Sequence, residues 1–297
     1  MPAMNWKPNR WGATTLSFLA PPLGMLYITR PRLAGVYLLV LLVAALTQFW
    51  LIGNGHKIPL TVFLAVIAAT HSYRIAVRAP EVNSRPWYSR WYGLLSIALS
   101  SFMVLAFLRA FFFEPFHLPS QSMFPSMPAG SYIVVQKYGY GNYASYGIRM
   151  YRGAVVAPLN RGQVLVFEYP RDHSIRYVMR LVGLPGDRLE YKGKRLFVNG
   201  EPLPTKSLGL YQEFEITRES TYNIATQSAA PRQDFDAIVK PGHLFFLGDN
   251  RDNANDSRYW GQVPEANVVG NVVLVLKNPE AQHIIPPDLA HEAAQRP

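Results

Sequence analysis

The sequence predicts N-terminal transmembrane helices followed by a mostly antiparallel β ectodomain with an inserted cap region. Three observations carry that expectation. Long uncharged apolar runs are confined to the first 116 residues. Beyond Phe116 the chain changes to short β-branched and aromatic runs punctuated by Gly and Pro, the pattern of strands joined by turns. And 49% of the residues are hydrophobic while only 16% are charged, which is low for a soluble protein.

The elements follow in chain order. Leu16–Ile28 is apolar but interrupted by Pro21-Pro22 and Gly24, so it reads as a re-entrant or interfacial segment rather than a span. Leu33–Gly53 runs for 21 residues without a charge. That is enough to cross a ~30 Å hydrocarbon core at ~1.5 Å per residue. Ile58–Tyr73 is a shorter apolar run, with His71 and Arg74 placed to snorkel toward an interface. Tyr92–Leu108 is a third span, continued by Arg109 and by Phe111-Phe112-Phe113, aromatics suited to the membrane–water boundary. Strands are expected at Ser131–Gln136, Gln163–Tyr169, Arg176–Val182, Arg188–Tyr191, Arg195–Val198, Leu244–Leu247 and Val268–Leu276, with a hairpin at Asn199-Gly200. Residues 205–240 are polar and weakly patterned and read as a cap or loop region. The polar tail 279–297 reads as mobile. The domain plan is therefore a membrane region with about two spans (1–91), an anchor (92–113), an ectodomain (114–278, core 114–204 and 241–278) and the tail.

Charge sets the expected topology and partners. The formal net charge is +10, but Lys7, Arg10, Arg30, Arg32, Arg74, Arg78, Arg85 and Arg90 all flank apolar runs. Such positions hold topology determinants and anionic-lipid contacts, which makes the lipid bilayer the expected partner and argues against nucleic acid. Residues 1–32 and 74–91 are rich in Arg, whereas 54–57 offers only Lys57. The positive-inside rule then puts the N-terminus inside and everything after about Phe113 outside. No cleavable signal sequence is apparent, because the first apolar run has no clear small-residue site and further spans follow. Cysteine is absent, which excludes disulfides, thiolate metal sites and a Cys nucleophile.

Three blocks carry the chemistry: Phe116–Pro128 (FHLPSQSMFPSMP), Arg180–Asp187 (RLVGLPGD) and Gly248–Asn253 (GDNRDN). A serine in a Pro-bounded turn is usually a turn residue, and as a nucleophile it needs a base within hydrogen-bond reach. What singles out Ser120 and Ser122 is their setting between Pro119 and Pro125, just beyond a membrane span. Asp249, Arg251, Asp252, Asp256 and Arg258 alternate in charge, as a solvated loop would. Asp249–Ser257 lacks the regular spacing and late Glu of a calcium loop, so no metal is expected, nor any cofactor.

Together these blocks resemble bacterial type I signal peptidase, the membrane-tethered Ser/Lys serine endopeptidase family that removes signal peptides, over roughly residues 92–278. The resemblance implies a signal-peptidase-like β fold with Ser122 as nucleophile. The Ser120 hydroxyl and the Ser122 backbone N–H would form the oxyanion hole, and alternation would place both serines on one side of an extended segment. It also implies a general-base lysine, kept neutral by apolar burial, directly before Arg180. That position is Met179, and Tyr177 and Arg180 match on either side, so no gap shifts it. The serine that orients the lysine amine corresponds to Ala254. Leu118, Tyr177 and Val178 would wall a shallow groove with pockets for small residues. Arg180, Gly248, Asp249, Asn250, Arg251, Asp252, Asp256 and Arg258 would form a scaffold beside it. The implied partners are signal peptides of exported preproteins. The implied location is the bacterial cytoplasmic membrane, with the ectodomain on the periplasmic side.

No other base suggests itself. His117 precedes Ser122 by an odd number of residues and faces away on a strand. His173 lies about 20 Å from Met179 if extended at ~3.3 Å per residue. Arg180 does not deprotonate usefully, and Lys137 matches a family lysine outside the dyad. Two readings follow: a signal peptidase, or a catalytically impaired relative that binds signal peptides or an assembly partner through the same groove. A small polytopic channel or transporter would account for the first 91 residues alone.

Overall fold

The structure is a computed structural model that describes residues 5–53, 56–145, 147–209, 212–216, 221–226 and 234–276. The tail read as mobile lies outside the described residues. The chain divides into two compact units, residues 1–106 and 107–297.

The first unit contains α1 (Arg10–Leu19), α2 (Pro21–Tyr27), α3 (Pro31–Gly53), α4 (Leu60–Arg78) and most of α5 (Trp91–Phe111). The interrupted run at Leu16–Ile28 resolves into parts of two short helices. Asn9 caps α1, its Oδ1 accepting from the N–H groups of Trp11 and Gly12 at 2.9 and 3.1 Å. Ala20 is extended, and Pro21 starts α2, where its missing N–H costs nothing. Gly24 lets the helices close up: a Cβ there would lie 2.6 Å from the Ser17 Cα. Ala13, Met25, Ala68 and Ala76 form the tight centre of this unit, and the Ser72 hydroxyl donates to the Ala13 carbonyl at 3.2 Å.

Among the described residues, α3, α4 and α5 are long and apolar enough to cross a membrane. Leu38, Leu42 and Leu46 on α3 and Leu99, Phe102 and Leu105 on α5 are exposed, as lipid-facing side chains are. Helix α4 runs to Arg78, beyond the expected end at Tyr73. Arg74 and Arg78 face outward while Ser72 and Ala76 stay buried, so charge on one face does not end the helix.

The second unit is built from β1 (Phe113–His117), β2 (Tyr132–Gln136), β3 (Asn142–Ser145), β4 (Ile148–Arg152), β5 (Val164–Tyr169), β6 (Asp172–Gly183), β7 (Arg188–Lys192), β8 (Arg195–Val198), β9 (Glu201–Pro202), β10 (Thr205–Gly209), β11 (Gln212–Ile216), β12 (Thr221–Ala225), β13 (Phe235–Ile238), β14 (His243–Leu247), α6 (Ser257–Trp260), β15 (Val263–Pro264) and β16 (Val268–Leu276). Its main sheet has the order β1-β2-β16-β5-β6-β14-β15, antiparallel throughout. Strand β1 was not expected: its first residue, Phe113, read as a boundary aromatic. It pairs as an edge strand, where Pro115 is tolerated, and Glu114 points inward because Lys137 meets it at 2.9 Å. Asn199 and Gly200 both have positive φ (56° and 84°) and close the β8–β9 hairpin.

Strands β6 and β14 serve two cores because their side chains alternate. Met179, Leu181 and Phe246 join the main core, where Phe167 stacks on Phe246 at 4.3 Å. Val182, Phe245 and Leu247 join a second cluster with Leu189 and Tyr191. Residues 205–240, read as weakly patterned, hold the antiparallel sheet β10-β11-β12 and the strand β13, which pairs with β7.

Candidate active site

The segment carrying Ser120 and Ser122 joins β1 to β2 and turns rather than extends. Met123 and Met127 sink into the main core, and the Phe124–Pro125 peptide is cis. From the opposite side the Asn250 N–H donates to the Ser122 carbonyl at 3.0 Å, and Asn250 Nδ2 donates to the Gln121 carbonyl at 3.2 Å. Gly248 permits this approach. A Cβ there would lie 2.7 Å from the Ser122 carbonyl oxygen and 2.3 Å from the Ala254 Cβ.

The two serines meet, but not through strand alternation. The Ser122 N–H donates to Ser120 Oγ at 3.1 Å, a side-chain turn spanning two residues. Ser120 Oγ in turn donates to Ser122 Oγ at 2.9 Å. Both donors that the resemblance assigns to an oxyanion hole are thus directed at the serine pair itself.

An open cavity of about 630 Å³ is lined by Ser120, Ser122, Tyr177, Met179, Asp252 and Ala254, with Gln121, Asn253, Asn255 and Tyr259. It gathers the serine pair, Met179 and Ala254, which lie up to 134 residues apart in the chain. Two expected wall residues are not part of it. Leu118 is buried in the main core, and Val178, between Tyr177 and Met179 on β6, packs against that core outside the cavity lining. Met179 itself is 1% exposed and lies opposite Leu165 on β5. Gln121 and Asn253 lie inside two of the motif blocks but were given no role of their own, and Asn255 and Tyr259 carry no pattern that marks them in the sequence. Trp260, stacked on Tyr177 at 6.0 Å with nearly parallel rings, backs the cavity wall.

The charged block is a buried scaffold rather than a solvated loop. Arg180 grips Asp249 through two bonds, Nε to Oδ1 at 2.6 Å and Nη2 to Oδ2 at 2.5 Å. Its Nη1 donates to the Gly162 carbonyl at 2.5 Å, and its guanidinium lies 3.9 Å from the Tyr222 ring centre. Burial pulls the Arg180 pKa down, but the Asp249 carboxylate outweighs it and the net shift is upward. Asp256 caps α6, accepts from the Gly248 N–H at 3.1 Å and pairs with Arg258 at 2.8 Å. Ala225 and Asn250 form a parallel bridge, so β12 is stitched to the loop that holds Ser122. Asp252, at the cavity rim, pairs with Lys194 at 3.0 Å.

Among the described residues, none of the alternative bases weighed from the sequence lines the cavity, and the one carboxylate in its lining, Asp252, is paired with Lys194. His117 packs against Tyr132, and His173 lies 3.7 Å from Glu168. Lys137 is fully buried and bonds Glu114 and the Ala144 carbonyl. Burial lowers its pKa, and the Glu114 carboxylate opposes that shift.

Apolar helices ahead of an antiparallel β unit, with paired serine hydroxyls at a cavity on that unit, define the frame of a membrane-anchored serine hydrolase. Residues 91–277 match the family model described as signal peptidase, peptidase S26. A signal peptidase I of Pseudomonas fluorescens is 41% identical over 201 residues, covering 59% of this chain and 68% of that one. A signal peptidase I of Pseudomonas aeruginosa is 37% identical over 236 residues, 70% and 81% of the two chains. A solved signal peptidase I from Enterococcus faecalis V583 is 29% identical, covering 39% of this chain and 98% of that one at a TM-score of 0.28. This chain belongs to the signal peptidase family, peptidase S26. Its relatives and its apolar helices make it a bacterial membrane protein.

Proposed function

We propose that the cavity beside Ser122 receives signal peptides of exported preproteins, and that this chain cuts them far more slowly than a relative with a lysine base. The family supports the first half. In the endopeptidase reading Ser122 Oγ attacks the scissile carbonyl, and the developing oxyanion is met by the Ser120 hydroxyl and the Ser122 N–H once they turn from each other. The hydroxyl proton of Ser122 must leave during attack. Met179 stands at the position where the resemblance expects its acceptor, and a thioether takes no proton at working pH.

The observation that carries the second half is that Ser122, Met179 and Ala254 line one cavity. A missing general base removes a contribution typically worth about 10²–10⁴-fold. The paired loss also fits a settled arrangement. Replacing both partners of a buried polar pair by apolar groups of similar shape can be nearly neutral, while removing one costs about 1–3 kcal/mol. Recognition is separable from chemistry. A signal peptide with alanine at both small positions should crosslink from a photoreactive residue at Gln121 or Tyr177, and one with bulky residues there should not. Equal labelling by both would contradict a discriminating groove.

The chain's proposed setting is the bacterial cytoplasmic membrane, crossed by α3, α4 and α5 with the β unit on the periplasmic side. Arg enrichment before α5 supports this orientation, as does the reciprocal Trp6–Val82 backbone pair at 2.9 Å, which ties the N-terminal segment to the α4–α5 turn. Protease added to sealed spheroplasts should digest the β unit. Protection there, with digestion only in inverted vesicles, would reverse the orientation.

A further inference from the structure

A second cavity, about 550 Å³, lies in the N-terminal unit at the turn between α4 and α5. Two guanidinium groups face it. Arg85 lies 4.4 Å from the Trp6 ring centre and 5.3 Å from that of Tyr27, and its Nε and Nη2 donate to the Ser89 hydroxyl and carbonyl. Arg90 donates from Nε to the Arg85 carbonyl at 3.1 Å and from Nη1 to the Tyr92 hydroxyl at 3.2 Å. These bonds fix both side chains yet leave Arg85 Nη1 and Arg90 Nη2 free of hydrogen bonds among the described residues.

Among the described residues no carboxylate pairs with either arginine. Glu81 is the one acidic residue in the first 113, and it takes the Asn5 amide at 3.2 Å rather than either arginine. Asn5, Asn83 and Ser84 line the remaining wall with neutral polar groups. Two fixed cations without a counter-charge, beside small polar side chains, form a receptor for an anion whose oxygens match the guanidinium fork.

The position selects the kind of anion. The cavity opens where the apolar helix α5 begins; Trp91, in its lining, is 73% exposed, and Trp87, four residues earlier, is 61% exposed. Exposed indoles at the end of an apolar helix mark the headgroup level of a bilayer. An anion held there can continue into acyl chains along α5. We propose that this cavity binds the phosphate headgroup of an anionic phospholipid on the arginine-rich side of the membrane. This rests on the membrane placement of α3–α5 and not on the catalytic reading.

Native mass spectrometry of the full chain in neutral detergent tests it, with phosphatidylglycerol, phosphatidylcholine and inorganic phosphate as separate probes. Phosphatidylglycerol should be retained over phosphatidylcholine by about tenfold, and Arg85→Gln with Arg90→Gln should remove about that preference. Arg74→Gln with Arg78→Gln removes the same charge elsewhere and should change retention less than about twofold. If Arg85→Gln fails to fold, Arg90→Gln alone, and Arg85→Lys, which keeps a cation without the fork, should each weaken retention. Equal retention of the two lipids, equal loss in the control pair, or full displacement by millimolar inorganic phosphate would overturn the proposal. Carbonate extraction separates the premises. A chain that stays in the membrane but shows no lipid preference overturns this site alone, whereas release by carbonate overturns the membrane placement.

Discussion

Two groups of residues around the cavity beside Ser122 differ in kind. Behind its lining is a dense ionic scaffold: Arg180 with Asp249, and Asp256 with Arg258, all buried or nearly so. In the lining itself Met179 and Ala254 offer only carbon and a thioether, at 1% and 6% exposure. The scaffold positions the nucleophile loop through Asn250, and nothing in it requires a base to be present. Architecture and proton transfer are therefore separable here, and in the function proposed above the chain keeps the first without the second.

That contrast can be broken by mutation, beginning with the scaffold. Asp249→Ala should strand the buried Arg180 guanidinium and destabilise the β unit by about 3–5 kcal/mol, read from denaturant unfolding. Met179→Leu, a volume-conserving change in the apolar slot, should cost under about 1.5 kcal/mol. Comparable costs at the two positions would mean that the scaffold is not what holds this site.

A smaller effect should appear with acid. Burial alone would raise the Asp187 pKa, but hydrogen bonds from Arg161, the Leu184 N–H and Asn199 overcome it and hold the carboxyl below its ordinary value of 3.8. A carboxyl depressed in the folded state contributes stability above its unfolded pKa and loses it as pH falls through the folded one. The contribution of Asp187 should therefore be constant at neutral pH and disappear below about pH 4. Asp187→Asn should flatten the stability profile of the β unit in that acid range. An unchanged profile would show that Asp187 is not held this way.

Much of the molecule was legible in the sequence, for identifiable reasons. Strands β5, β14 and β16 and the second half of β6 are mainly aliphatic and aromatic because each feeds a core, and the break at Pro21 announced itself. The missed elements owe their places to distant partners. Strand β1 exists because Glu114 finds Lys137, and β12 matters because Tyr222 lies on Arg180 and Ala225 bridges to Asn250. The serine pair was legible from its motif, but its geometry was not, since a side-chain turn replaced the expected alternation. Gln121, Asn253, Asn255 and Tyr259 become neighbours only when two loops converge.

The most direct test of the central claim is cleavage of a preprotein by the purified full chain beside its Met179→Lys variant. The account predicts little cleavage by the unmodified chain and a gain of about 10²-fold or more with Met179→Lys, since the buried slot would hold the amine neutral. Ala254→Ser should raise it further by orienting that amine, and Ser122→Ala should abolish what was restored. Robust cleavage by the unmodified chain, lost on Ser122→Ala, would contradict the account and require a base other than residue 179.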